Sequence, residues 1–208
     1  MQLYWHRRTL QPSPNPALST AFTAAKQNNS CVVPVFVLDD AILSRANGLG
    51  VAFMLGSLHE LRDWYRGHGG DIVIQHGDPT DVVGRLARTI GVEQVVWNKD
   101  HSQLARARDR AVQRALTRTG VAYTSVPNEQ PSKMNSSTTL PSNPDAYLAN
   151  PHTLEIKTQA VPRLSDLRED EYDSAPLTAG TESARKRLRS LSDGTTYRRC
   201  DDTRSFSF

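Results

Sequence analysis

Charged and amide side chains follow three predicted strands at the point where each strand ends. These residues are Arg7 and Arg8, then Asp39 and Asp40, then Asn98, Asp100 and His101, with Arg106 and Arg108 on the helix that follows. Ligands of open α/β sheets bind beyond the carboxyl ends of the strands, so we expect these side chains to converge on one edge of the sheet. Guanidinium groups bind carboxylates and phosphates in a bidentate manner. The pattern favours a site for a planar, partly anionic ligand, although the same charges could form surface ion pairs alone.

The sequence offers no signature of nucleophilic, metal or common nucleotide-binding chemistry. It contains neither G-x-G-x-x-G nor G-x-x-x-x-G-K-[ST], and no G-x-S-x-G nucleophile elbow. The six histidines are scattered without the spacing of metal ligands. We therefore nominate no catalytic residue and no metal ligand.

The elements that must position the polar residues are read from hydrophobic patterning. Cys31 to Asp40 is apolar or β-branched up to its two aspartates, which is typical of a central parallel strand buried on both faces. Val51 to Arg66 has leucines at helical spacing, and Asp71 to Gln75 predicts a short strand. Strands and helices alternate to about Val126, and such alternation indicates a five-stranded parallel, doubly wound, Rossmann-like sheet flanked by helices.

Composition changes after Val126 and divides the chain. Residues 1–126 hold most of the apolar residues and predict an α/β domain, whereas 127–178 are rich in Pro, Asn, Ser and Thr, as in a polar linker. Residues 179–208 regain helical character in AGTESARKRLRSL but have too few apolar residues to form a domain. We expect a folded core followed by a poorly ordered polar C-terminal extension.

The charge and the cysteine content limit which partners and which cellular compartment the sequence suits. The formal net charge is +3 and the pI about 9.0, with basic residues clustered from Arg185 to Arg204. Such a tail binds phosphate backbones weakly if at all, since it also suits a solvated helix. Two cysteines make no disulfide framework, which predicts a cytoplasmic protein. No apolar run approaches the roughly 20 residues of a membrane helix, and the start lacks a signal-peptide core.

Four segments together resemble the N-terminal α/β domain of the DNA photolyase and cryptochrome family. They are LYWHRRTLQPSPNPAL, VVPVFVLDDAIL, VAFMLGSLHELRDWYRGHGGDIVIQHGDPTDVV and VVWNKDHSQLARARDRAV. The resemblance covers about Met1 to Val126 and returns in GTESARKRLRSL and Tyr197 to Asp201, which are similar to the start of the family's helical domain. It implies that residues 179–208 are a remnant of that FAD-binding helical domain.

The resemblance implies a light-dependent chemistry and a set of ligand contacts. Photolyases split pyrimidine dimers in DNA by electron transfer from reduced FAD, and the family's α/β domain can hold a folate or deazaflavin antenna chromophore. Asn98-Lys99-Asp100 with the downstream Arg-x-Arg-Asp resembles the antenna segment of deazaflavin-type members. The residues nominated for cofactor binding are Arg8, Asp39, Asn98, Asp100 and Arg106.

Three hypotheses of function remain open from the sequence. The first is a deoxyribodipyrimidine photolyase-related protein reduced to its antenna domain and unable to repair DNA alone, so that lyase activity rests on resemblance only. The second is a stand-alone module that binds a deazaflavin, flavin or nucleotide. The third is a subunit that docks on a separate helical-domain chain through Arg185 to Leu191.

Overall fold

A computed structural model describes residues 1–127 and 140–167 of the chain, together with positions 180, 183, 184, 186 and 189. In chain order its elements are β1 (Gln2–His6), α1 (Pro16–Gln27), β2 (Val32–Leu38), α2 (Asp40–Leu43), α3 (Gly48–Gly67), β3 (Val73–His76), α4 (Pro79–Thr89), β4 (Gln94–Asn98), α5 (Gln103–Arg118), β5 (Ala122–Val126), a 3-10 turn (Pro144–Tyr147) and α6 (Leu164–Leu167). The predicted class is confirmed: five parallel strands are flanked by helices.

The strand order is β3-β2-β1-β4-β5, which places β1 in the middle and β2 beside it. The chain winds outward from β1 to β3, then crosses to the other side of β1 for β4 and β5. The switch point of the sheet therefore lies beside the central strand β1, between β1 and β4, and ligands of this fold class bind beyond the carboxyl ends of the strands. Every residue of β1 and β2 is buried, because helices cover both faces.

Each face of the sheet has its own core. Leu3, Trp5, Val35 and Trp97 point to the face that α4 and α5 cover, where Val112 packs against them. The alternate residues of the strands point to the opposite face. There Tyr4 and Val96 pack on α1, and Phe36 and Ile74 pack on α3. This alternation follows from the period of two along a strand.

The residues that cap the N-termini of α1 and α3 explain where these helices begin. The side chain of Asn15 accepts the Leu18 N–H, and Pro16 occupies the first turn of α1, where its missing N–H costs no hydrogen bond. At α3 the Asn47 side chain accepts the Gly50 N–H at 2.7 Å, so the helix begins at Gly48 and not at Val51. The cap outweighs the low helix propensity of the two glycines in the first turn.

Part of the predicted linker belongs to the folded core. Within 140–167, Ala149 donates its N–H to Val32 O, and Gln159 donates its N–H to Ile74 O. Ala149, Ile156 and Val161 are buried against the sheet and its helices. The prediction that the C-terminal extension is poorly ordered concerns 128–139, 168–179 and most of 180–208, which lie outside the described residues.

Candidate functional site

A cavity of about 810 Å³ lies at the carboxyl ends of β1 and β2. Its polar lining comes from the segment after β1, from the end of β2 and from Arg108 of α5. Helix α2 and the first half of α3 form another wall. The large apolar lining residues are Trp5, Leu10, Phe36, Val37, Leu38, Ile42, Leu43, Phe53 and Met54. Pockets of this size with mostly apolar walls and a few polar groups are typical of small-molecule sites.

Two arginines enclose the indole of Trp5 on the polar side of the cavity. The guanidinium carbon of Arg7 lies 5.0 Å from the Trp5 ring centroid, and that of Arg108 lies 5.3 Å from it. Each arginine also has a carboxylate partner: Arg7 Nη1 lies 2.7 Å from Asp109 Oδ1, and Arg108 Nη1 lies 3.3 Å from Asp39 Oδ2. The paired charges and the ring hold this wall rigid before any ligand arrives.

The Arg7 guanidinium is a buried charge beside a second cation, Arg108. Its side chain is only 3 % exposed. Burial lowers the pKa of Arg7, the nearby charge of Arg108 lowers it further, and Asp109 opposes both effects. Within the described residues, Nε and Nη2 of Arg7 and Nε of Arg108 are buried without a hydrogen-bond acceptor. The cation-π contacts with Trp5 compensate part of that cost.

Arg8 and Asp100 form a second, more open pair at the cavity mouth. Arg8 is 80 % exposed, and its Nη1 lies 3.6 Å from Asp100 Oδ1. Burial of Asp100 opposes its ionisation, but the backbone N–H of Ser102 and the charges of Arg8 and Arg7 outweigh burial, so the pKa of Asp100 lies below its ordinary value. Arg8 is the cation of this site that can turn toward a ligand at little cost, because an exposed, long ion pair is weak.

His6 lines the cavity as a neutral imidazole. Its Nδ1 lies 3.1 Å from the carbonyl oxygen of Thr9, and its Nε2 lies 2.7 Å from the Tyr65 hydroxyl. A carbonyl can only accept, so Nδ1 carries the proton and Nε2 accepts from Tyr65. Burial lowers the pKa of His6 to about 3. The ring is a fixed structural group at neutral pH.

The structure brings three of the five nominated residues together. Arg8 and Asp39 line the cavity, and Asp100 contacts Arg8. The Asn98 side chain faces α1 instead: its amide donates to Tyr4 Oη and Asn15 Oδ1, and its Oδ1 accepts the Ala17 N–H. Arg106 is exposed on α5 and is absent from the cavity lining. Cofactor contacts by these residues stay predictions.

Sequence reasoning missed the apolar half of the site. Trp5 lies inside a hydrophobic strand, and Phe53 and Met54 lie on an amphipathic helix, so their pattern is that of core residues. The exposure of Phe53, 44 %, is the feature that separates it from the core, and it appears only in the folded chain. Gly180 and Ala184, which belong to the predicted remnant of the helical domain, also line the cavity.

The comparison with protein families shows to which family this chain is related. The family model described as DNA photolyase matches residues 2–147. This chain belongs to the DNA photolyase family. Over 234 aligned residues it is 32 % identical to the deoxyribodipyrimidine photo-lyase of Halobacterium salinarum, an alignment that covers 99 % of this chain and 49 % of the relative. The chain therefore spans about half the length of this photolyase relative.

Solved structures of photolyase-family proteins share the fold. The Synechocystis sp. PCC6803 cryptochrome superposes with a TM-score of 0.69 at 15 % identity, over 93 % of this chain and 45 % of that one. An archaeal photolyase from Sulfolobus tokodaii, whose structure is described as holding two FAD molecules with the implication of a novel light-harvesting cofactor, gives a TM-score of 0.67 at 20 % identity, over 91 % of this chain and 45 % of that one. In the part of the photolyase-family chain that the structure describes, no helix has the length and apolarity to cross a membrane, and no group of three or more acidic, histidine or cysteine side chains forms a metal site.

Proposed function

We propose that this photolyase-family α/β unit binds a planar, light-absorbing heteroaromatic cofactor, of deazaflavin or flavin type, in the cavity at the ends of β1 and β2. The observation that carries the proposal is the 810 Å³ cavity with apolar walls and a preformed polar side. The light-harvesting cofactor described for the Sulfolobus tokodaii photolyase supports a role of this kind. When bound, the cofactor would absorb light and pass on the excitation energy.

Different residues of the cavity would contact different parts of the ligand. Phe36, Leu38, Phe53 and Met54 offer apolar surface to the ring system. Arg7 and Arg108 are already engaged with Asp109 and Asp39, so they stiffen the wall and contribute little to neutralising a charged ligand. Arg8 supplies the available cation at the mouth. A ligand with an apolar ring inside and one anionic group at the mouth fits this arrangement best.

The test starts with the colour of the protein purified in the dark from its native host. We expect an absorption band in the near-ultraviolet or blue that stays with the folded chain. Chain without bound cofactor is then titrated with riboflavin, FMN and a deazaflavin, and the fluorescence anisotropy of each compound is followed. A colourless protein that binds none of these three would contradict the proposal.

Two matched variant pairs locate the site. Met54→Trp fills the cavity and should weaken binding at least about tenfold, since overpacking removes ligand volume. Leu104→Trp, at a 37 % exposed position outside the cavity lining, should leave it unchanged. Arg8→Gln should weaken FMN about tenfold and riboflavin little, whereas Arg45→Gln, exposed elsewhere, affects neither. Equal binding by Met54→Trp and wild type would place the ligand elsewhere.

The second part of the proposal concerns repair of pyrimidine dimers in DNA and the partner that this reaction would need. We infer that the chain acts with a helical, FAD-binding part, either in one polypeptide or as a separate chain. The support is that the aligned segment covers 49 % of the Halobacterium salinarum photo-lyase. The docking helix predicted at Arg185 to Leu191 lies mostly outside the described residues, and binding of DNA by the basic tail stays a prediction. A cytoplasmic location is inferred from cysteine content alone.

A further inference from the structure

A basic groove lies on the far side of α5 from the cavity described above. Its lining residues are Arg110, Gln113, Arg114, Thr117, Arg118 and Tyr123, and they enclose about 470 Å³ between α5 and the edge strand β5. We call it the α5 groove. None of these residues lines the cavity at the ends of β1 and β2.

The arginines of the α5 groove are spaced regularly and carry uncompensated charge. Arg110, Arg114 and Arg118 are four residues apart and all exposed. Among the described residues none of the three has an ion-pair partner, in contrast to Arg7, Arg62 and Arg108. Four residues of α-helix advance by roughly 6 Å, which is close to the separation of successive phosphates along one nucleic-acid strand.

Tyr123 supplies an aromatic surface beside this row of charges. Its ring stacks on the buried Trp97 with a centroid distance of 5.8 Å and an interplanar angle of 28°. The residue is nevertheless 40 % exposed, because β5 is an edge strand. An unpaired base can stack on such a ring, whereas a base inside a duplex cannot reach it.

The composition of α5 argues against an anionic membrane as the occupant. A helix that lies on a membrane inserts an apolar face among the lipids. In α5 the apolar residues Val112 and Leu116 are buried in the core, and the exposed Leu104 lies in the first turn, outside the α5 groove. The residues that line the α5 groove are polar or charged apart from the ring of Tyr123, so they offer no apolar face for insertion among lipids.

We propose that the α5 groove binds a single strand of nucleic acid without sequence preference, with Arg110, Arg114 and Arg118 on successive phosphates and Tyr123 under a base. The site is separate from the cavity, so the proposal does not depend on cofactor binding there. Contacts of this kind release counterions and make affinity salt-dependent, by roughly 0.7 in the logarithmic slope for each phosphate neutralised on a single strand.

The test measures binding of a fluorescently labelled oligothymidylate to the full chain over a range of salt concentrations. Arg110→Gln/Arg114→Gln/Arg118→Gln should lower the magnitude of the salt slope by about 2. The control Lys26→Gln/Arg45→Gln/Arg163→Gln removes the same charge from exposed positions outside the groove and should change the slope much less. Tyr123→Leu should weaken binding at least about fivefold, and Tyr123→Phe should restore it, because stacking needs only the ring.

Several results would overturn the proposal. They are no binding of the oligonucleotide by wild type, an unchanged salt slope in the triple groove variant, and equal binding by Tyr123→Leu with its circular dichroism intact. An unchanged slope would assign the binding to the basic tail. Tighter binding of a duplex of equal length, or groove-dependent binding to phosphatidylserine vesicles without oligonucleotide binding, would also overturn it.

Discussion

At the residue scale, the buried arginines Arg7, Arg62 and Arg108 each have a carboxylate partner within the fold. Arg62 illustrates the pattern: its Nε and Nη2 each lie 2.9 Å from an oxygen of Asp71, and its Nη1 donates to Gln159 O at 2.7 Å. Both side chains are buried, at 8 % and 5 % exposure. The pair therefore ties α3, the start of β3 and the 140–167 segment together.

Asp71→Asn is expected to lower the free energy of unfolding by about 3 kcal/mol at neutral pH, because it leaves Arg62 buried beside an uncharged partner. Burial opposes ionisation of Asp71, but the hydrogen bonds and charge of Arg62 outweigh it, so its pKa lies below the ordinary 3.8. A depressed pKa adds stability above about pH 4 that is lost as the pH falls through the folded value. Urea unfolding at neutral and acid pH should show that the difference in the free energy of unfolding between wild type and variant becomes smaller in acid. A difference that does not change with pH would contradict this account.

The buried His6 gives a second pH dependence with the same sign. Its folded pKa of about 3 lies below the ordinary 6.5, so the unfolded chain binds one more proton between these values. His6 should therefore make the free energy of unfolding rise with pH across that window, by up to about 1.4 kcal/mol per pH unit. Nitrogen NMR of the imidazole at pH 5 should show a neutral ring protonated at Nδ1. Imidazolium shifts at that pH would contradict the assignment.

At the element scale, the 140–167 segment completes the sheet. Thr158 Oγ1 accepts the Ile74 N–H, and Gln75 Nε2 donates to Lys157 O, so the outer edge of β3 is covered. A covered edge cannot pair with another chain. Gly70 allows the close approach of this segment, since a Cβ there would lie 3.1 Å from both Ala149 O and Leu148 Cβ.

Gly70→Ala should lower the free energy of unfolding by about 1 to 3 kcal/mol, because Ala149 or the backbone at 70 must shift. Gly67→Ala is the matched control: a Cβ there meets nothing within 4 Å, and Gly67 ends α3. That change should stabilise the chain by roughly 0.5 to 1 kcal/mol through the entropy of the unfolded state. Thermal unfolding of the three proteins compares them directly. Equal destabilisation by both substitutions would show that the segment does not pack against Gly70.

At the scale of the whole molecule, the described part is one α/β unit of the DNA photolyase family. The alignment with the Halobacterium salinarum photo-lyase covers 49 % of that protein. A light-driven reaction on a base needs a flavin and a pocket for the flipped base, and the described cavity is proposed for an antenna only.

The purified chain alone is therefore expected not to repair pyrimidine dimers. An oligonucleotide with one thymine dimer is illuminated with blue light in the presence of the chain, FAD and a reductant, and intact thymines are measured by chromatography. The dark reaction and a complete photolyase serve as controls. Light-dependent loss of dimers with this chain alone would contradict the expectation and would assign catalytic chemistry to these residues.

The sequence by itself determined the fold class and the edge at which the cavity lies. Apolar runs such as Val32–Leu38 must be buried on both faces, and that requirement leaves a parallel sheet with helices on each side. The polar residues Arg7, Arg8 and Asp39 then have to follow the strands at one edge. These conclusions depend only on local pattern, so sequence reasoning reached them.

Only the tertiary structure decided which of those polar groups remain available. Arg7 pairs with Asp109, Arg108 pairs with Asp39, and the Asn98 side chain is hydrogen-bonded to Asn15 at the start of α1. Each of these contacts joins residues that are far apart in the chain. Such pairs depend on the strand order β3-β2-β1-β4-β5, which local periodicity does not encode. The packing of 140–167 was missed for the same reason, because its few apolar residues gain burial only from a surface that distant segments build.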